Sequence, residues 1–240
     1  MKIVSSEFSV PKSGALILGV VEGCQLSPIG IEIDRLMSGE LVKQISINSR
    51  FTGKKNTTLV LNGVAGIDIS RLILVGLGVP SDVSKLQMQG MGATAVSAVN
   101  NAGDEFASIV VESLNDCSIT TEDMVAEIGL GARLAAYRFD KYRTQIKDEE
   151  EPALKTLTLM SKGISAFEQA LLERQHVADG VYLTRNLVSE PSNIKYPSAI
   201  VEDIESLSGI GVDVELLSEK QMNFVFPQNK DNFFVKGDEE

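Results

Sequence analysis

A lone imidazole limits the chemistry this chain can do. His176 is the single histidine among 240 residues, with Glu173 and Asp179 three positions to either side in helical sequence. Residues three apart share a helix face, so a carboxylate–imidazole cluster is conceivable there. One imidazole excludes a metal site built on a histidine pair. A serine or cysteine triad would need His176 as its base, and nothing else in the sequence points to it. His176 therefore reads as a surface helix residue with local polar contacts. Cys24 and Cys117 are the only cysteines, and they read as reduced thiols in a cytosolic protein.

The glycines invite a nucleotide reading. "GMGATA", Gly90 to Ala95, fits G-x-G-x-x-A. That motif carries phosphate only directly after a strand, where it opens a helix. Here it lies inside helical sequence, well past the strand at Leu72 to Val75. "GLGVP", Gly76 to Pro80, reads as a strand-to-helix turn, and no Walker A or H-E-x-x-H occurs. The densest acidic group is Asp148, Glu149, Glu150 and Glu151, beside Pro152. It reads as a solvated loop.

The net charge is −11 and no dense basic run is present. Phosphate neutralisation by Lys and Arg dominates nucleic-acid affinity, so the charge argues against such a partner. The opening "MKIVSSEFSV" lacks the apolar segment of a signal peptide. Apolar runs fall short of the roughly 20 residues a bilayer requires, so the cytoplasm is the expected location and no membrane partner is expected.

The elements that must position these residues alternate. "MKIVSSEFS", "GALILGVVEG", "TTLVLNG" and "RLILVGLG" read as strands, the last buried on both faces. "VSKLQMQGMGATAVSAVNNAG" reads as a helix ending near Gly103. "FASIVVESL" is a strand. "TTEDMVAEIGLGARLAAYRFDKY" is a helix opened by Thr120 and Asp123 in a capping-box-like spacing. Its apolar stripe is predicted at Val125, Ile128, Ala132, Ala135 and Phe139. "LKTLTLMS" is a further strand, and the first unit closes at residue 162. Such alternation predicts an α/β layer structure with a mixed or mainly parallel sheet.

A long helix is predicted from Ile164 to Val188, its apolar face marked by Phe167, Ala170, Leu171, Val177, Val181 and Val188. Another follows at "YPSAIVEDIESLSG", with Pro197 near its start and Gly209 after its end. "GVDVELLSE" alternates like a strand.

Three stretches carry a resemblance. "GLGARLAAYRFDKYRT", "RNLVSEPSNIKYP" and "LILVGLG" with the segment after it resemble, in order and spacing, the leucyl aminopeptidases of the M17 family. The second matches the family's R-[DN]-L-[VA]-x-x-P-x-N-x-x-x-P signature at Arg185, Pro191, Asn193 and Pro197, for which a scaffolding role is expected, with Asn193 bonding backbone near the turn. The resemblance implies an N-terminal macro-domain-like α/β domain over residues 1–162, with a mixed sheet flanked by helices. A linker helix over 163–188 and an incomplete second α/β unit over 189–222, the start of the peptidase domain, would follow.

In the family, the catalytic domain holds two divalent metals, zinc or manganese, which hydrolyse the N-terminal residue from peptide substrates, and the catalytic domains assemble hexamers. The family's metal-ligand motifs lie beyond Glu240, so no catalytic, metal-binding or substrate-binding residue is carried over and no cofactor is expected in this chain. From residue 223 the sequence departs from the family, placing Phe224, Phe226, Phe233 and Phe234 in a tail expected to be disordered. The chain is thus read as a C-terminally truncated, inactive N-terminal portion. Two other readings stand beside it. One is a stand-alone macro-like module binding ADP-ribose-type nucleotides at the strand C-termini. The other is an assembly partner of intact aminopeptidase subunits.

Overall fold

A computed structural model describes residues 1–147, 151–162, 167–218 and 220–222. The acidic residues 148–150 and the tail from 223 onward, expected to be disordered, lie outside the described residues.

Six strands form one sheet: β1 (Lys2–Glu7), β2 (Ala15–Val21), β3 (Thr58–Asn62), β4 (Arg71–Gly78), β5 (Phe106–Val110) and β6 (Thr156–Ser161), in the order β1-β6-β5-β2-β4-β3. All neighbours pair in parallel except β3, which runs antiparallel to β4. β1 and β2 are therefore not neighbours, despite the short turn joining them. The mixed α/β architecture agrees with the alternation in the sequence.

The strand period of two divides the core cleanly. Ala15, Ile17, Ile73, Val75, Ala107, Ile109, Leu157 and Leu159 face one side, against α3 (Lys85–Ala102) and α4 (Thr121–Ala135). Leu16, Leu18, Leu72, Leu74 and Val110 face the other, against α1 (Pro28–Leu36) and α2 (Glu40–Ile47). β4 is buried on both faces, as its continuous apolar run predicts.

Two of these helices are not anticipated by the sequence reading. Ser27 caps α1 by accepting from the Gly30 N–H at 3.1 Å, Pro28 follows at the first turn, and Ile29 and Ile33 are buried four apart. α2 buries Leu41 and Ile45, again four apart. A Ser-Pro start and this spacing were the available signals. Each helix is only two turns long, so neither shows a sustained period.

Three further expectations are corrected. α4 is capped by Thr120, whose hydroxyl accepts from the Asp123 N–H, but it ends at Ala135. Val125, Ile128 and Ala132 are buried, Ala135 is exposed, and Phe139 lies past the helix against Tyr142. The long helix α5 spans Phe167–Ser189, but it buries Phe167 and Ala178, while Val177 and Val188 are 50% and 70% exposed. Its packed face runs through Phe167, Leu171, Arg174, Ala178 and Tyr182, because a polar seam, described below, sets the rotation. The segment Val212–Leu217 is not a strand, having no partner strand among the described residues.

Contacts divide the chain into two compact units, Met1–Tyr182 and Leu183–Glu240. The second holds the last turns of α5, α6 (Pro197–Glu205) and a 3-10 turn over Ser206–Ile210. Gly209 lies within that turn, and Gly211, at φ 88°, ends it in the left-handed conformation glycine adopts most readily. No described residue of this unit is buried. Among the described residues, no helix is long and apolar enough to cross a membrane.

Candidate functional site

Parallel sheets bind ligands at the C-terminal ends of their strands, where successive crossovers diverge. In this sheet that point lies between β2 and β5. The N-terminus of α1 opens beside it, a natural anion site because its first N–H groups lack helical partners. These groups are already committed. The Ile29 N–H donates to Glu112 Oε1 at 3.1 Å, the Gly30 N–H to the Ser27 hydroxyl, and the Ile31 N–H to the Ser27 carbonyl at 2.8 Å. Glu112 supplies the negative charge that a bound phosphate would otherwise bring. The cavity behind it, walled by Leu18, Leu77, Met88 and Met124, measures about 30 Å³. That suits one water, whereas small-molecule sites run from roughly 300 Å³ upward. A nucleotide finds neither charge nor room here.

The glycines serve packing instead. Gly92 lies in α3 where a methyl group would overlap the Ile128 carbonyl of α4, and Gly131 of α4 meets the Gln89 carbonyl of α3 in the same way. Each helix presents a glycine to the other's backbone, which allows close approach. Gly76 is likewise pressed against the Lys54 carbonyl.

His176 is exposed, and its two acidic neighbours are engaged elsewhere. Glu173 accepts from Gln169 at 3.3 Å and Asp179 from Arg133 at 3.2 Å. No imidazole–carboxylate cluster is assembled. Among the described residues, no three His, Cys, Asp or Glu side chains converge in a group able to hold a metal ion. Among the described residues the donor set does not fit a two-metal centre. Cys24, at φ 58°, places its thiol 3.5 Å from the Phe51 carbonyl, and burial pushes its pKa up.

The strongest polar arrangement lies along α5. Glu127, buried in α4, receives Arg174 Nε at 2.9 Å and Gln89 Nε2 at 2.6 Å. One turn and a half later Arg133 meets Asp179, and the Tyr182 hydroxyl donates to the Arg133 carbonyl. A buried carboxylate demands such partners, and this seam docks α5 onto α4, with Gln89 of α3 completing the shell of Glu127. Sequence reasoning missed it, since its bonded partners lie up to 49 residues apart. Beside the seam a pocket of about 380 Å³ opens between β1, α4 and α5.

The signature residues sit in the second unit. Arg185 is half-buried on α5, while Pro191, Asn193 and Pro197 are exposed. The Ile194 and Lys195 N–H groups both donate to the Pro191 carbonyl at 2.9 Å, so backbone bonds close this turn. Pro197 occupies the first turn of α6, where its missing N–H costs nothing.

Comparison with known proteins follows the same outline. Residues 17–145 match the model of the cytosol aminopeptidase family, N-terminal domain. A probable cytosol aminopeptidase of Methylorubrum extorquens is 35% identical over 209 residues, 87% of this chain and 41% of that protein. Another, of Methylorubrum populi, is 34% identical over 211 residues, 88% of this chain and 41% of that protein. This chain thus spans about two fifths of the length of these relatives. A tomato leucine aminopeptidase mutant shares the fold with a TM-score of 0.76 at 22% identity, covering 94% of this chain and 46% of its own.

Proposed function

The chain belongs to the cytosol aminopeptidase family, and from that membership we propose that it is the non-catalytic N-terminal portion of a leucyl aminopeptidase. The observation that carries this reading is the match of residues 17–145, from β2 to beyond α4, to the family's N-terminal domain. In this reading the family's chemistry, release of N-terminal residues from peptides by two divalent metals, zinc or manganese, is done by residues outside this chain. The working location is the cytoplasm.

The role proposed for residues 1–162 is that of a folded scaffold, with the linker helix leading into a peptidase unit that opens at 189. Arg185, Pro191, Asn193 and Pro197 shape that entry and touch no substrate. The second unit exposes Ile204, Ile210 and Val212. Contiguous exposed apolar surface favours association, so its partner would be metal-bearing aminopeptidase sequence, or aminopeptidase subunits of the family's hexamers.

The test is an aminopeptidase assay. The purified chain, supplied with manganese or zinc, is expected to release no leucine from a leucyl-amide substrate. Chelator-sensitive turnover by a preparation free of host aminopeptidase would overturn the reading.

A further inference from the structure

The sheet has two outer strands, β1 and β3, and they are built differently. β1 carries Lys2 and Glu7 at its ends, and the residues between them are half-buried. In β3 alternate residues are exposed, Val60 at 42%. Its pairing with β4 runs without a register shift. No charged residue and no proline occurs from Asn56 to Ile67, in a chain of net charge −11. Charges, prolines and bulges are the devices that keep strand edges apart, and β3 has none of them.

The outward groups of β3 can be assigned. The Gly76 N–H donates to the Thr57 carbonyl, and bonds in an antiparallel ladder alternate. Thr57, Leu59 and Leu61 therefore bond toward β4. Thr58, Val60 and Asn62 turn their N–H and C=O groups outward, where no described backbone group meets them. A groove of about 750 Å³ opens beside the strand, with Leu36, Met37, Leu59 and Leu61 among its walls.

Such an edge accepts a further strand. We infer that its occupant is β3 of a second copy of this chain, antiparallel and centred on Val60, which joins two sheets into one. This register sets Thr58 opposite Asn62 and Val60 opposite itself, closing about six hydrogen bonds. Leu59 and Leu61, half-buried within one copy, meet Leu61 and Leu59 of the other. No like charges are opposed along the strand. At each end Lys54 and Lys55 of one copy approach the loop that carries Asp68 of the other, so opposite charges complete the contact. Strands this short cover less than the standard interface of roughly 1,600 Å². The dimer is therefore reversible, with an expected Kd of about 10–100 µM.

Sedimentation equilibrium of the whole chain reads the dimer. Val60→Lys sets two ammonium groups face to face and should raise the Kd at least about tenfold. Val60→Thr, a good strand former, should hold it within about threefold. Val60 is exposed, so both variants keep the fold, which their thermal melts check. Disulfide trapping reads the register. The two Val60 Cα atoms would lie about 5.5 Å apart, within disulfide reach. Mild oxidation should therefore link Val60→Cys chains into a covalent dimer, and should not link the parent or Ser81→Cys, which is exposed away from β3. A parent chain that stays monomeric at about 500 µM would leave the edge to an extended segment of another protein and overturn the proposal. So would a Val60→Lys chain that dimerises like the parent, or a Val60→Cys chain that links no faster than Ser81→Cys.

Discussion

The Nε of Arg174 lies 2.9 Å from Oε1 of Glu127, linking the long helix α5 to the middle of α4. Glu127 is 3% exposed, so its charge depends on that guanidinium and on Gln89. Removing one partner of a buried pair leaves an uncompensated charge. Because Arg174 is itself 28% exposed, Arg174→Ala is expected to lower stability by roughly 2 kcal/mol, below the range for fully buried pairs. Urea unfolding measures it, and an unchanged midpoint would remove the seam from the account of how α5 docks.

The same seam bears on the domain boundary. A fragment of residues 1–162 is proposed to fold by itself, since it holds all six strands. A fragment of residues 1–182 adds Phe167, which is 1% exposed, and the Arg174 contact. Both fragments should melt cooperatively, the longer at the higher temperature. A broad, non-cooperative transition in the shorter one would move the boundary into α5.

Two glycines of "GMGATA" should respond oppositely to alanine. Around Gly90 there is open space, so Gly90→Ala should stabilise by about 0.5–1 kcal/mol through helix propensity. At Gly92 the added methyl meets the Ile128 carbonyl, so Gly92→Ala should destabilise by roughly 1–3 kcal/mol. Thermal unfolding of the two variants decides. A phosphate-loop role would predict no such contrast.

Cys24 should be a slow nucleophile. Burial raises its pKa, which favours the neutral thiol in the folded state. The resulting contribution to stability is full below the unfolded pKa and is lost as pH rises through the folded value. Alkylation of Cys24 at pH 8 is expected to be slower in the native chain than in urea-unfolded chain, where the thiolate fraction is larger. Equal rates, followed by mass spectrometry, would contradict this.

The second unit should lower solubility. Ile210 is 77% exposed and Val212 46%. The whole chain is therefore expected to associate at lower concentration than residues 1–182, as read by light scattering. Matching behaviour of the two would count against the exposed face as an interaction surface.

Much of this molecule is legible in its sequence. The β4 run, the Thr120 cap, the Gly103 stop and the alternation of strands with helices each rest on local residue chemistry, so they can be read without a fold. The motifs around Gly129 and Arg185 carry the family resemblance, because they are stretches of contiguous residues. What tertiary structure decided is which faces meet. The rotation of α5 was misread from Val177 and Val188, because a buried carboxylate 47 residues away, Glu127, sets it through Arg174. The apparent strand at Val212 failed because alternation forms a strand only beside a partner. Likewise the strand-end cleft is closed by Glu112, 83 residues from the helix N-terminus it caps. Local propensity acts over a few residues, whereas the satisfaction of buried charge and backbone groups is settled only when distant segments pack.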